Sequence, residues 1–343
     1  LYVDMPNGSI GDNAFRNCSG FDGNLTIEDG LDTIGDNAFR ESSFQGDLFL
    51  PNSIDSIGEG SFRDSDFNGN LILSTGLNDV PAYSFYNCDG FVGDLTIDGN
   101  ITGVEDSAFA NCSGFDEKVN FNSSYSPFKL GQDAFKNCSR IQEIDGSNPP
   151  NTIGSGAFEN CGSLKEIGFN LTNSIGENTF KNCYQLESDI NFSGLSSLGA
   201  GAFESCIKLE NVNSISTNTY NVADKSFKNC YNLYSFTGPT SYAKIGIEAF
   251  SGCASLSQFT NFPNLEVGEA ALKDCSSLSY FDFGSTITGI GDEAFGNCTS
   301  FTGDLTLPVS IIDVGVGAFK NCGFDGELDI SGCTSLTTIK QAS

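Results

Sequence analysis

One pattern returns along the whole chain: an apolar residue, glycine, two polar residues, a small residue and phenylalanine, as in Ile34-Gly35-Asp36-Asn37-Ala38-Phe39. Aligning on the last position gives fourteen anchors: Phe15, Phe39, Phe62, Phe85, Phe109, Phe135, Phe158, Phe180, Phe203, Phe227, Phe250, Leu272, Phe295 and Phe319. Neighbouring anchors are 22 to 26 residues apart. A unit that short cannot bury its apolar side chains alone, so the units must stack as a solenoid. Each unit then touches only its neighbours and the core grows lengthwise, so residues 1–343 are expected to form one continuous domain.

The second repeat shows what a unit supplies. Leu25-Thr26-Ile27 alternates apolar and polar, as a half-buried strand does. Glu28-Asp29-Gly30 is a turn, and Leu31 and Ile34 bracket a second extended segment. Asp36-Asn37-Ala38-Phe39 reads as one helical turn, with Asp36 or its neighbour as its cap. The stacked strands are expected to form a parallel sheet on one face, with extended segments and helical turns on the other. Both ends of the chain use a longer strand entry, Phe21-Asp22-Gly23-Asn24-Leu25 and its like, where the extra residue and the fixed glycine predict a bulge or tight bend.

These residues resemble the BspA-like, Treponema pallidum type of leucine-rich repeat. Cys161-Gly162-Ser163-Leu164-Lys165-Glu166-Ile167-Gly168-Phe169 matches the first half of that repeat, and Ser174-Ile175-Gly176-Glu177-Asn178-Thr179-Phe180-Lys181-Asn182-Cys183 the second. Leu50-Pro51 and Leu307-Pro308 keep the family's Leu-Pro step. The resemblance implies a leucine-rich-repeat solenoid with a concave parallel sheet, in a secreted or cell-surface protein used for adhesion or partner binding. The glycine-containing strand entry and the scarcity of proline after the strand depart from the family pattern and leave a shared ligand open.

Charge narrows the partners. Sixteen Lys and Arg against 44 Asp and Glu give a net charge of -28, which argues against nucleic acid and anionic membranes. No apolar run reaches the roughly 20 residues of a membrane helix, so no membrane insertion is expected in this segment. Catalysis is hard to assemble: without histidine there is no Ser-His or Cys-His pair, and the carboxylate pairs fall in turns. No cofactor is expected, with structural calcium in the acidic turns as the alternative. Twelve of the 13 cysteines sit three residues after an anchor, where Ser42 and Ser65 stand in two other repeats. That spacing predicts a reduced ladder of buried thiols, with the off-register Cys333 as the candidate reactive or paired thiol.

Two sets of surface residues carry the functional expectations. Asn7, Asn17, Asn24, Asn100, Asn111, Asn122, Asn137, Asn170, Asn191 and Asn297 begin Asn-x-Ser/Thr sequons and are candidate glycosylation sites, Asn122 and Asn170 foremost. Asparagine recurs in the Asn-Cys step without a following hydroxyl residue, as at Asn87 and Asn160, which gives that position a structural role as well. The concave face is expected to be lined by the middle strand residues Thr26, Phe49, Ile72, Thr96, Asn120, Asp145, Gly168, Asn191, Asn213, Thr237, Thr260, Asp282, Thr306 and Asp329. Two readings follow. The first is an extracellular structural or adhesive scaffold, a segment of a longer chain or an assembly of copies stacked end to end. The second is a recognition module taking a surface protein or glycan on the concave sheet.

Overall fold

A computed structural model describes residues 1–214, 221–238, 243–260 and 265–340. The chain divides into two compact units, Leu1–Phe169 and Asn170–Ser343. Each unit is a parallel-strand solenoid, and seven of the fourteen anchors fall in each.

In the first unit one row of strands runs Tyr2–Val3, Thr26–Ile27, Leu48–Phe49, Leu71–Ile72, Leu95–Ile97, Lys118–Phe121, Glu143–Asp145 and Glu166–Ile167. All pairings in this row are parallel and one repeat apart, as in Phe49↔Ile72 and Thr96↔Asn120↔Asp145. A second row of return segments includes Gly8–Ile10, Leu31–Ile34, Ser56–Ile57, Gly103–Val104, Lys129–Leu130 and Thr152–Ile153. The second unit repeats the plan. Its face row pairs Asn191↔Asn213↔Thr237↔Thr260 and Thr306↔Asp329, and its return segments include Leu265–Val267, Gly289–Ile290 and Asp313–Val314.

The third side of each repeat departs from the expected helical turn: among the described residues there is no helix. In all fourteen repeats the residues two before and two after the anchor have positive φ, as in Asn37 at 53° and Glu41 at 55°. A helix cannot propagate through a left-handed residue, so its ladder of hydrogen bonds never forms. The backbone donors alternate instead. Ala38 N and Arg40 N bond back three residues to Gly35 O and Asn37 O, while Asn37 N, Phe39 N and Glu41 N reach Glu59 O, Ser61 O and Arg63 O of the next repeat at 2.7–2.9 Å. The aspartate expected to cap a helix serves the stack: Asp36 Oδ1 accepts the N–H of Glu59, and Asp12 Oδ1 that of Asp36, both at 2.9 Å. The glycine before it is required by close approach, since a Cβ on Gly58 would lie 2.4 Å from the Asp36 nitrogen.

The core is a stack of rings. In the first unit the seven anchors lie face to face with centroids 5.1–5.4 Å apart and planes within 11°. A second column, Phe21, Phe44, Phe67, Phe91 and Phe115, comes from the longer strand entries and meets the anchors edge on, as Phe67 meets Phe62. In the second unit Phe180, Phe203, Phe227 and Phe250 stack likewise, and Phe236, Phe259 and Phe281 form the crossing column. Offset and edge-on pairs are the geometries that ring quadrupoles favour, so the columns combine burial with aromatic attraction. The glycine of the longer entry occupies a bend ahead of the strand, with positive φ at Gly46, Gly93 and Gly303.

The cysteine column lies against the anchors. All 13 thiols are free and eleven are buried. Thiols along the column donate from Sγ to the carbonyl of an anchor one repeat earlier, from Cys112 to Phe85 at 2.9 Å through Cys275 to Phe250 at 3.3 Å. The thiols are therefore lateral hydrogen-bond donors as well as small apolar fillers. Cys333, expected to be the reactive thiol, is also buried, with Sγ 3.4 Å from both Leu307 O and Pro308 O.

Candidate functional site

The face row is where side chains vary without touching the core. In a strand such as Leu95–Ile97 the outer two residues point inward and are buried, so Thr96 between them points out. In the first unit this places Thr26, Phe49, Ile72, Thr96, Asn120 and Asp145 outward in one row; Thr26 is exposed and Thr96, Asn120 and Asp145 are half-buried. Gly168, just past Glu166–Ile167, is exposed. In the second unit Asn191, Asn213 and Thr237 are half-buried in register, and Thr260, Asp282, Thr306 and Asp329 are exposed.

Phe49 and Ile72 stand out. They are register partners, and each keeps about half of its surface in water, 51% and 50%. Beside them opens a groove of about 660 Å³, bordered by Asn52, Asn70, Thr75, Asp94, Asp98 and Glu117. Row spacing alone does not name these bordering residues. Strand alternation does for some: Asn70 and Asp94 lie two residues before Ile72 and Thr96, and Asp98 two after, so they share the outward face.

Electrostatics leave the groove acidic. The nearby ammonium of Lys118 is held by Glu143 at 2.5 Å and Asp145 at 3.2 Å, which raises its pKa above the ordinary lysine value. Asp145 is lowered, first by the backbone N–H of Gly146 and then by Lys118. Asp116 beside the groove is paired with Arg140 at 2.7 Å. The groove residues themselves include three carboxylates and no lysine or arginine.

The second unit has a smaller cleft of about 360 Å³, bordered by Tyr280, Asp282, Thr302, Asp304 and Thr306 over Phe281 and Phe283. Its aspartates are engaged within the fold: Asp304 Oδ1 accepts Glu327 N at 2.7 Å and Asp282 Oδ1 accepts Gly284 N at 2.9 Å. Asp145, Glu248, Glu293 and Asp329 are all shifted towards the ionised form by nearby donors, the opposite of what a general acid needs. Among the described residues no three His, Cys, Asp or Glu side chains gather as a metal-ligand set. No helix among them is long and apolar enough to cross a membrane.

The sequons separate into two groups. Asn17, Asn111, Asn137 and Asn297 occupy the left-handed position after the anchor. There Asn137 Nδ2 donates to Asn111 Oδ1 at 2.7 Å, Asn160 Nδ2 to Asn137 Oδ1 at 2.7 Å, and Asn297 Nδ2 to Asp274 Oδ1 at 2.6 Å. Asn7, Asn24, Asn100, Asn122 and Asn170 lie exposed outside that ladder, and Asn191 is half-buried in the face row. Asn122 Oδ1 accepts the N–H of Ser147 at 3.0 Å.

A family model described as the BspA type leucine rich repeat region matches residues 2–116, 115–233 and 220–343. No curated protein matches the sequence. Among solved structures, a leucine-rich repeat protein from Bacteroides ovatus is similar, with a TM-score of 0.65 and 21% identity over 99% of this chain and 83% of that one. A leucine-rich repeat protein from Eubacterium ventriosum gives 0.49 and 18% over 92% and 80%, and a leucine rich cell surface protein from Faecalibacterium prausnitzii 0.36 and 17% over 72% and 91%.

Proposed function

The chain belongs to the BspA-type leucine-rich-repeat family, and from that membership we propose that it is a non-enzymatic adhesive scaffold of the cell surface or extracellular space. The strand-face row makes its contacts with a protein or glycan partner. One observation carries the reading: the row is locked in register by the sheet, while the anchors, the crossing rings and the thiols fill the core behind it. Row residues are free to change from repeat to repeat at little cost in stability, which suits a binding face on a fixed frame.

The second reading, a dedicated recognition site, is favoured by Phe49 and Ile72. Half-exposed apolar side chains in a groove are the anchors that small binding sites use.

The test is adhesion of beads coated with the full chain to protein- and glycan-coated surfaces, comparing wild type with Thr96→Arg in the first unit and Thr237→Arg in the second. Loss of adhesion with an unchanged melting temperature supports the row. Adhesion that persists in both variants and falls when turn-side lysines such as Lys181 are changed overturns it.

A further inference from the structure

The groove beside Phe49 and Ile72 has a chemistry of its own. It pairs an apolar floor with a carboxylate rim: Phe49 and Ile72 below, Asp94, Asp98 and Glu117 around, and Asn52 and Asn70 as amide groups at the edge. Lys118 and Arg140, the neighbouring cations, are already bound to Glu143, Asp145 and Asp116. An apolar side chain on Phe49 and Ile72 would remove two half-exposed surfaces from water, and cations on either side would meet unopposed negative charge.

We propose that this groove takes an extended basic peptide segment of a partner protein, with one aliphatic side chain seated on Phe49 and Ile72 and flanking lysines or arginines on Asp98 and Glu117. This deepens the recognition reading and rests on it. The dimensions agree. From Phe49 to Thr96 is two strand spacings, about 10 Å, the reach of roughly three extended residues. In an extended segment successive side chains point to opposite faces, so an Arg-Leu-Arg stretch that seats Leu on the floor starts both arginines upward, and their long flexible stems fold back over the edges of the groove to the rim carboxylates. Charge complementarity selects the peptide over a neutral glycan, because the rim presents acids and no base. Asp94 is partly committed, since its Oδ1 already accepts the backbone N–H of Lys118 at 2.9 Å.

The experiment is fluorescence anisotropy of the full chain with labelled Gly-Arg-Leu-Arg-Gly. Gly-Arg-Gly-Arg-Gly and Gly-Glu-Leu-Glu-Gly serve as controls, at about 20 mM and about 500 mM NaCl. The first peptide is expected to bind about tenfold more tightly than either control. The double variant F49S/I72S should weaken it about tenfold, and D98N/E117Q should weaken it and flatten its salt dependence. Thermal melts of both variants check that the fold is intact, as expected from side chains that are outside the core. Equal binding of the leucine-free peptide, or binding indifferent to F49S/I72S, would reduce the effect to the diffuse charge of -28 and overturn the proposal. A neutral glucan oligomer that binds in place of the peptide and is lost in F49S/I72S also overturns it, while leaving the recognition reading standing. Adhesion through the row without peptide binding sinks this inference alone.

Discussion

A thiol three residues past the anchor donates to a backbone carbonyl of the previous repeat only while it is protonated. Burial holds it so: the Cys88 thiol is pushed up to about 12, and those of Cys112, Cys206 and Cys253 are raised well above the ordinary value. The direction for stability follows from linkage. A raised folded pKa means that the folded state binds the proton more tightly, so the contribution is complete below the ordinary thiol value near 9 and is lost as pH rises from there towards about 12. Each such thiol steepens the loss by up to about 1.4 kcal/mol per pH unit. We expect cooperative alkaline unfolding in that window, followed by near-UV circular dichroism. Replacing Cys206, Cys230 and Cys253 by Ser, the residue that Ser42 and Ser65 put in the same column, should move the transition to higher pH. An unchanged slope would mean that the thiols do not titrate on unfolding. The asparagine two residues past the anchor is equally committed. Asn137→Ala forfeits both a tolerant left-handed residue and its amide ladder, and should cost about 1–2 kcal/mol in urea melts, against about half that for Asn137→Gly. For the same reason, expression through a eukaryotic secretory route should leave Asn137 and Asn297 unmodified, while Asn122 and Asn170 carry glycan. Peptide mapping that finds glycan on Asn137 would show that its amide bond to Asn111 is dispensable.

At the scale of the element, the strand and the return segment were legible because their apolar residues alternate and their partners recur one repeat away. The anchor turn is not legible in a single repeat, for a physical reason. Asp36-Asn37-Ala38-Phe39 has the composition of a capped helical turn, and Asn suits a helix start as well as a left-handed backbone. What decides between them is the neighbouring repeat, whose carbonyls accept every second N–H, and a single repeat does not contain that information. Positions such as Tyr83, Lys225 and Glu248 make the point: their types do not favour positive φ, and the stack holds them there. The face row was readable from alternation, whereas the acidic rim of the groove needed the residues on either side of each row position. The same stacking sets what an anchor is worth. Phe203 is fully buried between Phe180 and Phe227, at 5.2 and 5.4 Å. Phe203→Ala should cost about 3–5 kcal/mol in chemical denaturation. Phe203→Leu should cost clearly less, because Leu272 fills the same column position, also fully buried. Equal losses for the two would mean that ring stacking, rather than filled volume, sets the value of an anchor.

Over the whole molecule the dominant quantity is charge. Forty-four acids face sixteen bases, and the lysines are largely used in ladders between repeats, such as Lys136–Glu159, Lys181–Glu204 and Lys228–Glu248 at 2.8–3.0 Å. Two effects of salt therefore oppose each other. Screening weakens those partly exposed pairs, each worth about 0–1 kcal/mol. It also weakens the mutual repulsion of 28 uncompensated negative charges, a self-energy that favours the unfolded chain. Excess acids outnumber the bases, so relief of repulsion should win. Raising NaCl from about 10 mM to about 500 mM shortens the screening length from about 30 Å to about 4 Å, and the melting temperature should rise by about 2 °C or more. Acidification is the poorer probe of the same repulsion. Lowering the pH towards the isoelectric value of 4.1 removes charge, but once the pH falls through the lowered pKa of carboxylates such as Glu248 it also takes away the partners of the lysine pairs between repeats. Differential scanning calorimetry in NaCl separates the two effects. A melting temperature that falls with salt would show that the lysine–glutamate ladders outweigh the net charge, and would make those ladders the main electrostatic contribution to the stack.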